Sequence, residues 1–471
     1  MEKDAVVLYP IAFMGHLTPM VELGKLLLRH GFSVTVVLHH CPFPDNNSVD
    51  SYVAAVAASH PSISFHRLPP VSLPSFFSDA MVASFELIRL SNPHLVHYLQ
   101  SSSSVRAIIL DVYSADAMDA AAQLCLPSFF FNPTSASSFV AFLYLPTLLT
   151  KSAASFKELG DHPIAFPGLP RPIIASDMPL PIHDRATAYR MALDQFGRVP
   201  LSKGILVNSF DALERPALRA LAAGDCVPDK PMPPVYFVGP ITAGVANEDQ
   251  RHESLAWLDG QPSASVVFLC FGSIAAFPPQ QLREIADGLE RSGQRFLWVA
   301  RCSSVAGKEE SAALPATEPD LLALMPEGFM ERTKGRGLVV KSWAPQVAVL
   351  GHKAVGGFVT HCGWNSVLEA ILAGVGMIAW PLYAEQRMNR AFLVEEVGLA
   401  VEMRRNAEGM AAAAEVEEKV RWLMESEEGR ELRARAADIG ESARAALREG
   451  GSSHTALIEV ASLLRGATIR E

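Results

Sequence analysis

The side chains best suited to ligand chemistry are concentrated in residues 343–386, above all in the HCGWNS segment at residues 361–366. This segment follows an apolar, strand-like run and opens a helical pattern. Backbone N–H groups at a helix start bind anions, and Gly363 permits close approach, so a diphosphate suits this position. As an alternative, Ser366 and Glu369 match a capping box that only starts the helix.

Further candidate ligand groups flank this segment, near the ends of predicted strands. Trp343 can stack on a planar base, and Glu369 can accept hydrogen bonds from a ribose diol. Glu385 and Gln386 can bind sugar hydroxyls, although each of these residues could equally belong to an ordinary loop. The chain contains neither a GxGxxG fingerprint nor a DxD pair. We therefore expect the helix dipole and hydrogen bonds to hold the diphosphate, with no metal or other cofactor required.

A candidate general base lies far from this segment. His16 follows the first predicted strand, in a loop, and Asp111 ends a later strand of the same predicted sheet. If the two strands lie close together, Asp111 can hydrogen-bond the imidazole and stabilise the imidazolium that forms when His16 takes a proton. Alternatively, a lone histidine in a loop is structural or merely exposed.

Apolar runs alternate with helical patterns in both halves of the chain. The first set of predicted strands comprises residues 5–9, 32–38, 63–68, 107–111, 128–131, 204–209 and 235–238, with a helix at 18–30. The second set comprises residues 266–271, 295–300, 338–341, 357–360 and 377–380. This pattern predicts two doubly wound, Rossmann-like α/β domains facing across a cleft. The predicted division is residues 1–240, a linker at 241–253, residues 254–448, and a C-terminal helix in 449–471 that packs back on the first domain.

The composition excludes several classes of protein. The 471 residues are 49% hydrophobic and carry a net charge of −10 without a basic stretch, so nucleic acid is not an expected partner. The six cysteines form no CxxC pair, which indicates a reducing compartment rather than a disulfide frame or zinc site. The longest apolar stretch, residues 139–149, is too short to cross a bilayer, and no signal peptide is apparent. We expect a cytoplasmic monomer without membrane insertion.

Residues 343–386 resemble the signature box of plant secondary-product UDP-glycosyltransferases. The leading WAPQ, the central HCGWNS and the final EQ all fall at the spacing of that family. Matches outside the box, at residues 257–259 and 271–273 and in the late GGSS at 450–453, extend the resemblance over the whole chain. The resemblance implies the two-domain GT-B fold and inverting transfer of a sugar from a UDP donor.

The resemblance also assigns roles to residues. It places the catalytic base and the acceptor in the first domain, with His16 and Asp111 as the catalytic pair, and the UDP-sugar in the second domain. The resemblance implies that Trp343 and Ala344 contact uracil, and that Gln346 and Glu369 contact the ribose. It implies that the diphosphate is bound beside Gly363 by Ser273, His361, Asn365 and Ser366. The implied contacts with the sugar are Thr134, Trp364, Glu385 and Gln386. Gln386 favours glucose as that sugar. Gly376 departs from the proline usual in the family, which predicts a looser loop there.

The predicted acceptor side is rich in aromatic residues. The predicted acceptor contacts are Gly15, His16, Phe85, Phe130, Phe142, Met191 and Ala384. A phenol, with a pKa of about 10, suits an imidazole base with a pKa of about 6.5. The predicted reaction is inverting transfer of glucose from UDP-glucose to a hydroxyl of a flavonoid, chalcone or anthocyanidin. Alternatives are C-glucosylation, hydrolysis or epimerisation of the UDP-sugar, and a catalytically silent UDP-sugar-binding protein.

Overall fold

A computed structural model describes residues 4–40, 46–73, 80–102, 104–244, 252–302 and 324–466. The chain divides into two compact units. The first unit is Met1–Thr242 with Ala445–Glu471, and the second is Ala243–Arg444. Residues 245–251 of the predicted linker lie outside the described residues. So does the polar stretch at residues 303–319, whose composition predicts a surface loop.

The first unit is built on a parallel sheet. Its strands are β1 (Ala5–Tyr9), β2 (Ser33–Leu38), β3 (Ile63–Arg67), β4 (Val105–Asp111), β5 (Ser128–Asn132), β8 (Ile205–Val207) and β9 (Val235–Phe237), while β6 (Pro163–Ile164) and β7 (Ile173–Ile174) form a separate antiparallel pair. The strand order is β3-β2-β1-β4-β5-β8-β9, and each pair of neighbours is parallel. The helices are α1 (Met14–Arg29), α2 (Asn46–Ser59), α3 (Ala80–Gln100), α4 (Met118–Gln123), α5 (Ala136–Lys151), α6 (Phe156–Leu159), α7 (Thr187–Arg198) and α8 (Asp211–Ala223).

The second unit repeats this design. Its strands are β10 (Val266–Cys270), β11 (Arg295–Ala300), β12 (Gly337–Lys341), β13 (Val355–Thr360), β14 (Met377–Ala379) and β15 (Ala400–Glu402), in the parallel order β12-β11-β10-β13-β14-β15. The helices are α9 (Glu253–Asp259), α10 (Pro279–Ser292), α11 (Phe329–Arg332), α12 (Gln346–Leu350), α13 (Trp364–Ala373), α14 (Gln386–Ala391), α15 (Ala413–Glu425) and α16 (Glu427–Leu447). The last helix of the chain, α17 (Ser452–Gly466), belongs to the first unit.

Buried apolar strands explain why both sheets form. In β1 and β10 nearly every side chain is buried, as expected for parallel strands covered on both faces. The helices contribute one apolar face each, as α1 does with Leu23 and Leu27. Leu457 and Val460 of α17 join the same core as β1 and β2, so the C-terminal helix packs on the first unit.

The strand orders define two ligand-binding edges. In a doubly wound sheet, ligands bind beyond the carboxyl ends of the strands where the order reverses. That point lies between β1 and β4 in the first unit, and between β10 and β13 in the second. The loop after β1 leads to His16 and β4 ends at Asp111, while β10 leads to Ser273 and β13 to residues 361–366. The sheet topology therefore brings the candidate residues to the two switch points.

Two local expectations were wrong. Helix α1 starts at Met14, not at residue 18, so His16 occupies the first helical turn and not a loop. Pro19 favours a helix start just before it, but the structure accommodates it inside the helix. The loop at Gly376 is not loose, because Gly376 is buried and its carbonyl accepts a hydrogen bond from the Phe358 N–H at 3.0 Å. A Cβ at Gly376 would lie 2.6 Å from Leu432 of α16, so the missing side chain permits tight packing.

Candidate active site

His16 and Asp111 form a hydrogen-bonded pair at the switch point of the first sheet. The His16 Nδ1 lies 2.8 Å from the Asp111 Oδ2, and the Asp111 side chain is fully buried. The other carboxylate oxygen, Oδ1, accepts the Tyr113 N–H at 2.9 Å. The carboxylate is thus fixed by two donors, and with Nδ1 donating to it, the His16 Nε2 carries the lone pair. The His16 side chain is 20% exposed, so part of the imidazole is accessible from outside the protein.

Tyr113 is a site residue that sequence reasoning missed. Its ring packs edge-on against the His16 imidazole, with ring centroids 5.2 Å apart and an interplanar angle of 89°. Its backbone N–H also holds the carboxylate of Asp111, so Tyr113 contacts both members of the pair. The available signal was its position, two residues beyond a strand that ends at the switch point. An aromatic residue there has the same appearance in a sequence as a core residue.

An aromatic cluster extends from Tyr113. The Tyr113 ring contacts Phe85 at 6.2 Å, Phe196 at 5.5 Å and Phe142 at 6.3 Å between centroids. Phe142 stacks on Phe196 at 4.8 Å with an interplanar angle of 6°. Such stacked and edge-to-face pairs are the favoured geometries of aromatic rings.

The residues predicted to contact the acceptor differ in how exposed they are. Phe85 and Phe130 are fully buried, with Phe130 in β5 within the sheet core, and their contact with an acceptor stays a prediction. Met191 of α7 is partly exposed, Gly15 is exposed, and Phe142 is 4% exposed. Of the predicted aromatic contacts, Phe142 alone keeps measurable accessible surface.

Thr134 lies in the turn between β5 and α5. Its hydroxyl donates to the Asn132 Oδ1 at 2.9 Å, and the Asn132 Nδ2 donates back to the Thr134 carbonyl at 2.9 Å. The next residue, Ser135, caps α5 by accepting the Ser138 N–H. These hydrogen bonds fix a turn in which Thr134 is 6% exposed.

In the second unit, α13 begins directly at the HCGWNS segment. Gly363 is the residue that precedes the helix and has no side chain with which to cap it, and the first turn contains no acid. The helix start therefore retains the positive end of its dipole for a ligand. The alternative of a capping box is wrong, because the helix starts at Trp364 and Ser366 is already its third residue.

His361 lies against two glycines. A Cβ on Gly272 would approach the His361 Nε2 to 2.7 Å, and one on Gly363 would approach it to 2.4 Å. Gly272 also has φ +78°, a backbone conformation that favours glycine. Burial lowers the pKa of His361 to about 4, so the imidazole is neutral near pH 7 and can donate a hydrogen bond but contributes no charge.

Gln346, Ser366 and Glu369 form one hydrogen-bonded group. The Gln346 Nε2 donates to the Ser366 Oγ at 2.8 Å and to the Glu369 Oε2 at 2.6 Å. Burial raises the pKa of Glu369 to about 7, and the hydrogen bond from Gln346 opposes that rise. A hydroxyl-bearing ligand that donates to Glu369 would favour its ionised form.

Trp343 offers the most exposed aromatic ring of this region. Its side chain is 57% exposed, its ring meets His252 edge-on with centroids 5.5 Å apart, and the adjacent Ala344 is buried. An exposed indole beside a fixed backbone is suited to stacking on a base while that backbone pairs with the base edge. His252, whose ring contacts this indole, is a second site residue that sequence reasoning missed.

The loop after β14 is held by Gln386. Its Oε1 accepts the N–H groups of Leu382 at 2.9 Å and Tyr383 at 3.0 Å, and its side chain is 2% exposed. Glu385 accepts a hydrogen bond from the Asn389 Nδ2 at 3.3 Å. Ala384 is exposed, with φ +53°. Gln386 therefore shapes this loop, in addition to any contact with a ligand.

Three predicted donor contacts differ in how far their side chains are exposed. Trp364 is 3% exposed and packs near Phe392, so its indole presents little surface to a sugar. Ser273 is exposed after β10, and its carbonyl accepts a hydrogen bond from the Arg301 guanidinium. Asn365 is partly exposed in the first turn of α13.

Comparison with known proteins decides the family. The family model described as "UDP-glucoronosyl and UDP-glucosyl transferase" matches residues 222–431. Anthocyanidin 5,3-O-glucosyltransferase of a Rosa hybrid cultivar is 45% identical, over 98% of this chain and 99% of its own. Phloretin 2'-O-glucosyltransferase of Pyrus communis is 46% identical over the same shares. This chain belongs to the UDP-glycosyltransferase family.

A solved structure agrees with this UDP-glycosyltransferase assignment. This structure is a UDP-glucosyltransferase from Polygonum tinctorium, capable of glucosylating indoxyl, in complex with 3,4-dichloroaniline. Its sequence is 36% identical to this chain, and the TM-score between the two structures is 0.88. The match covers 98% of this chain and 99% of the other. The predicted family and GT-B fold class are confirmed, with two parallel-sheet α/β units. The family is enzymatic, so the alternative of a catalytically silent binding protein is wrong.

Two further observations concern the whole UDP-glycosyltransferase. Among the described residues, no three His, Cys, Asp or Glu side chains are grouped so that they could hold a metal ion. No helix within the described ranges is long and apolar enough to cross a membrane. As a member of this family, the enzyme takes a UDP-sugar as its co-substrate.

Proposed function

We propose that this UDP-glycosyltransferase transfers glucose from UDP-glucose to a hydroxyl of a small phenolic acceptor, with inversion at the anomeric carbon. The observation that carries the proposal is the hydrogen bond between His16 and Asp111, at the switch point beside an aromatic cluster. That pair and cluster belong to the first unit, which we assign to base and acceptor. The residues assigned to the donor, Thr134 excepted, belong to the second unit.

The base chemistry follows from the orientation of His16. Because Nδ1 donates to Asp111, the Nε2 lone pair can take the proton of the acceptor hydroxyl. The phenolic oxygen attacks the anomeric carbon as that proton leaves. The bond between this carbon and the diphosphate oxygen breaks, and its electron pair leaves with UDP. Asp111 stabilises the resulting imidazolium.

The leaving group is stabilised by α13 and its neighbours. The start of this helix directs backbone dipoles toward negative charge, and the neutral His361 adds a hydrogen bond. Trp343 stacks on uracil, the Ala344 backbone pairs with its edge, and Gln346 with Glu369 binds the ribose. We assign the remaining donor contacts to Ser273, Asn365 and Ser366 for the diphosphate, and to Thr134, Glu385 and Gln386 for the sugar.

The relatives support a phenolic acceptor. The Rosa relative is named for an anthocyanidin and the Pyrus relative for phloretin, both aromatic phenols, and both names specify O-glucosylation. In this chain, Tyr113 is partly exposed and Phe142 lies beside it, which gives an acceptor ring an aromatic surface next to the base. We infer O-transfer to a flavonoid, chalcone or anthocyanidin type of acceptor, in the cytoplasm, by a monomer.

A matrix of donors and acceptors tests this proposal. UDP-glucose, UDP-galactose and UDP-glucuronic acid are each combined with a flavonol, a dihydrochalcone and an anthocyanidin, and products are resolved by mass and NMR. The proposal expects an O-glucoside from UDP-glucose and release of one UDP per glucoside. A C-linked glucoside would support the alternative reaction, and free glucose would indicate hydrolysis.

Gln386→His is expected to weaken the preference for glucose. Imidazole offers one acceptor nitrogen where Gln386 now accepts two backbone N–H groups, so the loop at residues 382–385 loses part of its support. We expect the ratio of kcat/KM for UDP-glucose over UDP-galactose to fall about tenfold, the worth of one hydrogen bond. Gln100→His, at an exposed position of the first unit, is the control. An unchanged donor ratio would remove Gln386 from sugar selection.

Binding of UDP-glucose is expected to tighten as the pH rises from 6 to 8. The pKa of Glu369 is raised to about 7 by burial, and ribose hydroxyls donate to its ionised form. At pH 6 about a tenth of the sites carry the carboxylate, so the Kd is about tenfold larger than at pH 8. His361 does not contribute, because its pKa of about 4 keeps it neutral throughout.

Calorimetry on the His16→Ala variant measures this dependence without turnover. UDP-glucose is used rather than UDP, because the terminal phosphate of UDP itself titrates near pH 6. Glu369→Gln should bind with a Kd that varies little over this range. If that variant retains the full pH dependence, Glu369 is not the titrating group.

A further inference from the structure

A buried carboxylate, Glu214 of α8, holds the start of helix α5. Its Oε2 accepts the Ala136 N–H at 2.9 Å, and its Oε1 accepts the Ser137 N–H at 2.8 Å. The hydroxyls of Ser137 and Ser209 also donate to it, at 2.9 and 2.6 Å. Glu214 is 1% exposed, so these hydrogen bonds form away from water.

The position of this carboxylate is specific. Ala136 and Ser137 are the first two residues of α5, whose N-terminal N–H groups carry the positive end of the helix dipole. Ser135 already caps the same helix by accepting the Ser138 N–H, so Glu214 adds a second, tertiary cap. α8 leaves helical geometry at Glu214, with φ −126° and ψ 41°.

Burying a carboxylate is costly, which makes a purely local role in capping unusual. Burial raises the pKa of Glu214, and its hydrogen bonds oppose that rise. An N-cap serine such as Ser135 is the ordinary means of satisfying a helix start in proteins. The additional contact therefore has a consequence beyond capping α5, namely the placement of the turn that precedes it.

That turn carries Thr134. On one side, the side chain of Asn132 fixes Thr134 through two hydrogen bonds of 2.9 Å. On the other side, Glu214 fixes Ala136 and Ser137, the second and third residues after Thr134. Functional side chains must be held to within about half an ångström of their working position by such supporting contacts.

We propose that Glu214 is a positioning residue for sugar transfer, acting through the β5–α5 turn on Thr134. This inference rests on the proposed function, in which Thr134 contacts the donor sugar. In this proposal Glu214 itself does not contact the substrate. Its carboxylate sets the backbone that presents the Thr134 side chain.

A double-mutant cycle distinguishes positioning from simple stability. In Glu214→Gln the carboxamide offers one acceptor oxygen and places its NH2 group against a backbone N–H of α5. We expect Glu214→Gln and Thr134→Val each to lower kcat about tenfold, the factor that one lost hydrogen bond is worth. The Kd for UDP should stay unchanged, because UDP is held by the second unit.

The double variant gives the deciding result. If Glu214 acts through Thr134, adding Glu214→Gln to Thr134→Val causes little further loss, and kcat remains near that of Thr134→Val alone. Independent losses that multiply to about a hundredfold would overturn the proposal. An effect of Glu214→Gln on Tm with an unchanged kcat would overturn it as well.

Two further variants separate positioning of Thr134 from a general loss of stability. Leu221→Ala removes a fully buried side chain of α8, about 10 Å along the helix from Glu214. This variant should lower Tm about as much as Glu214→Gln does, yet keep the kcat of the wild type. Should Glu214→Gln not fold, Ser209→Ala removes one donor to the carboxylate, and the same cycle with Thr134→Val applies. If the wild-type enzyme transfers no sugar, the proposed function itself is wrong. If the wild type is active but the kcat losses of Glu214→Gln and Thr134→Val multiply in the double variant, only the role of Glu214 is wrong.

Discussion

His16→Ala is expected to lower kcat for transfer to a phenol by about 10²- to 10⁴-fold, the usual contribution of a general base. The physical reason is that no other group is assigned to take the acceptor proton when the Nε2 lone pair is removed. The Kd for UDP should remain within about twofold of wild type, because the groups assigned to UDP lie in the second unit and His16 in the first. Initial rates with UDP-glucose, and calorimetry with UDP, measure the two effects.

His60→Ala is the matched control for this variant. His60 is an exposed histidine of the same unit, so its loss should leave kcat unchanged. Equal activity of the His16→Ala variant and wild type would contradict the assignment of the base. A parallel loss of UDP binding would show instead that the substitution disturbs the whole fold.

Asp111→Asn is expected to cause a loss of similar size, about 10²- to 10⁴-fold in kcat, although the side chain keeps its shape. Asp111 now accepts hydrogen bonds from the His16 Nδ1 and the Tyr113 N–H. An asparagine can satisfy Tyr113 with its oxygen, but it then turns its NH2 group toward His16. The imidazole must place its lone pair on Nδ1 and its proton on Nε2, which prevents Nε2 from acting as the base.

The tautomer of His16 provides a second readout for this variant. Nitrogen NMR of the imidazole should report a protonated Nδ1 in the wild type and a protonated Nε2 in Asp111→Asn. Asp119→Asn, at an exposed carboxylate paired with the Arg198 side chain, is the control and should keep both tautomer and kcat. A wild-type tautomer with full activity in Asp111→Asn would refute the role of Asp111.

The sequence predicts a large part of the fold because its signals are local. Buried parallel strands are continuous apolar runs, and the runs that predict β1, β2, β10 and β11 match the observed strands to within a residue. The helix start at residues 361–366 is equally local, since glycine and polar residues concentrate there. Helix α1 is the exception, because Pro19 signals a helix start although the chain places it inside the helix.

The remaining site features depend on contacts between distant residues. Glu214 lies in a charged segment, Asp211 to Arg215, that has the appearance of a solvated helix, yet its carboxylate is buried against α5. Phe85 and Phe130 look the same in the sequence as Phe142, but only the packed structure shows which of them are fully buried. Tyr113 requires knowledge of where the His16 ring lies. No pattern along the chain contains that information.

The most direct test of this mechanism is the stereochemistry of the product and its dependence on His16. UDP-glucose, whose glucose is α-linked, is incubated with a dihydrochalcone and either the wild type or His16→Ala, and the product is analysed by NMR. Inverting transfer with His16 as the base predicts a β-linked O-glucoside from the wild type, with one UDP released per glucoside, and almost none from the variant. An α-linked or C-linked product, or an undiminished yield from His16→Ala, would contradict this mechanism.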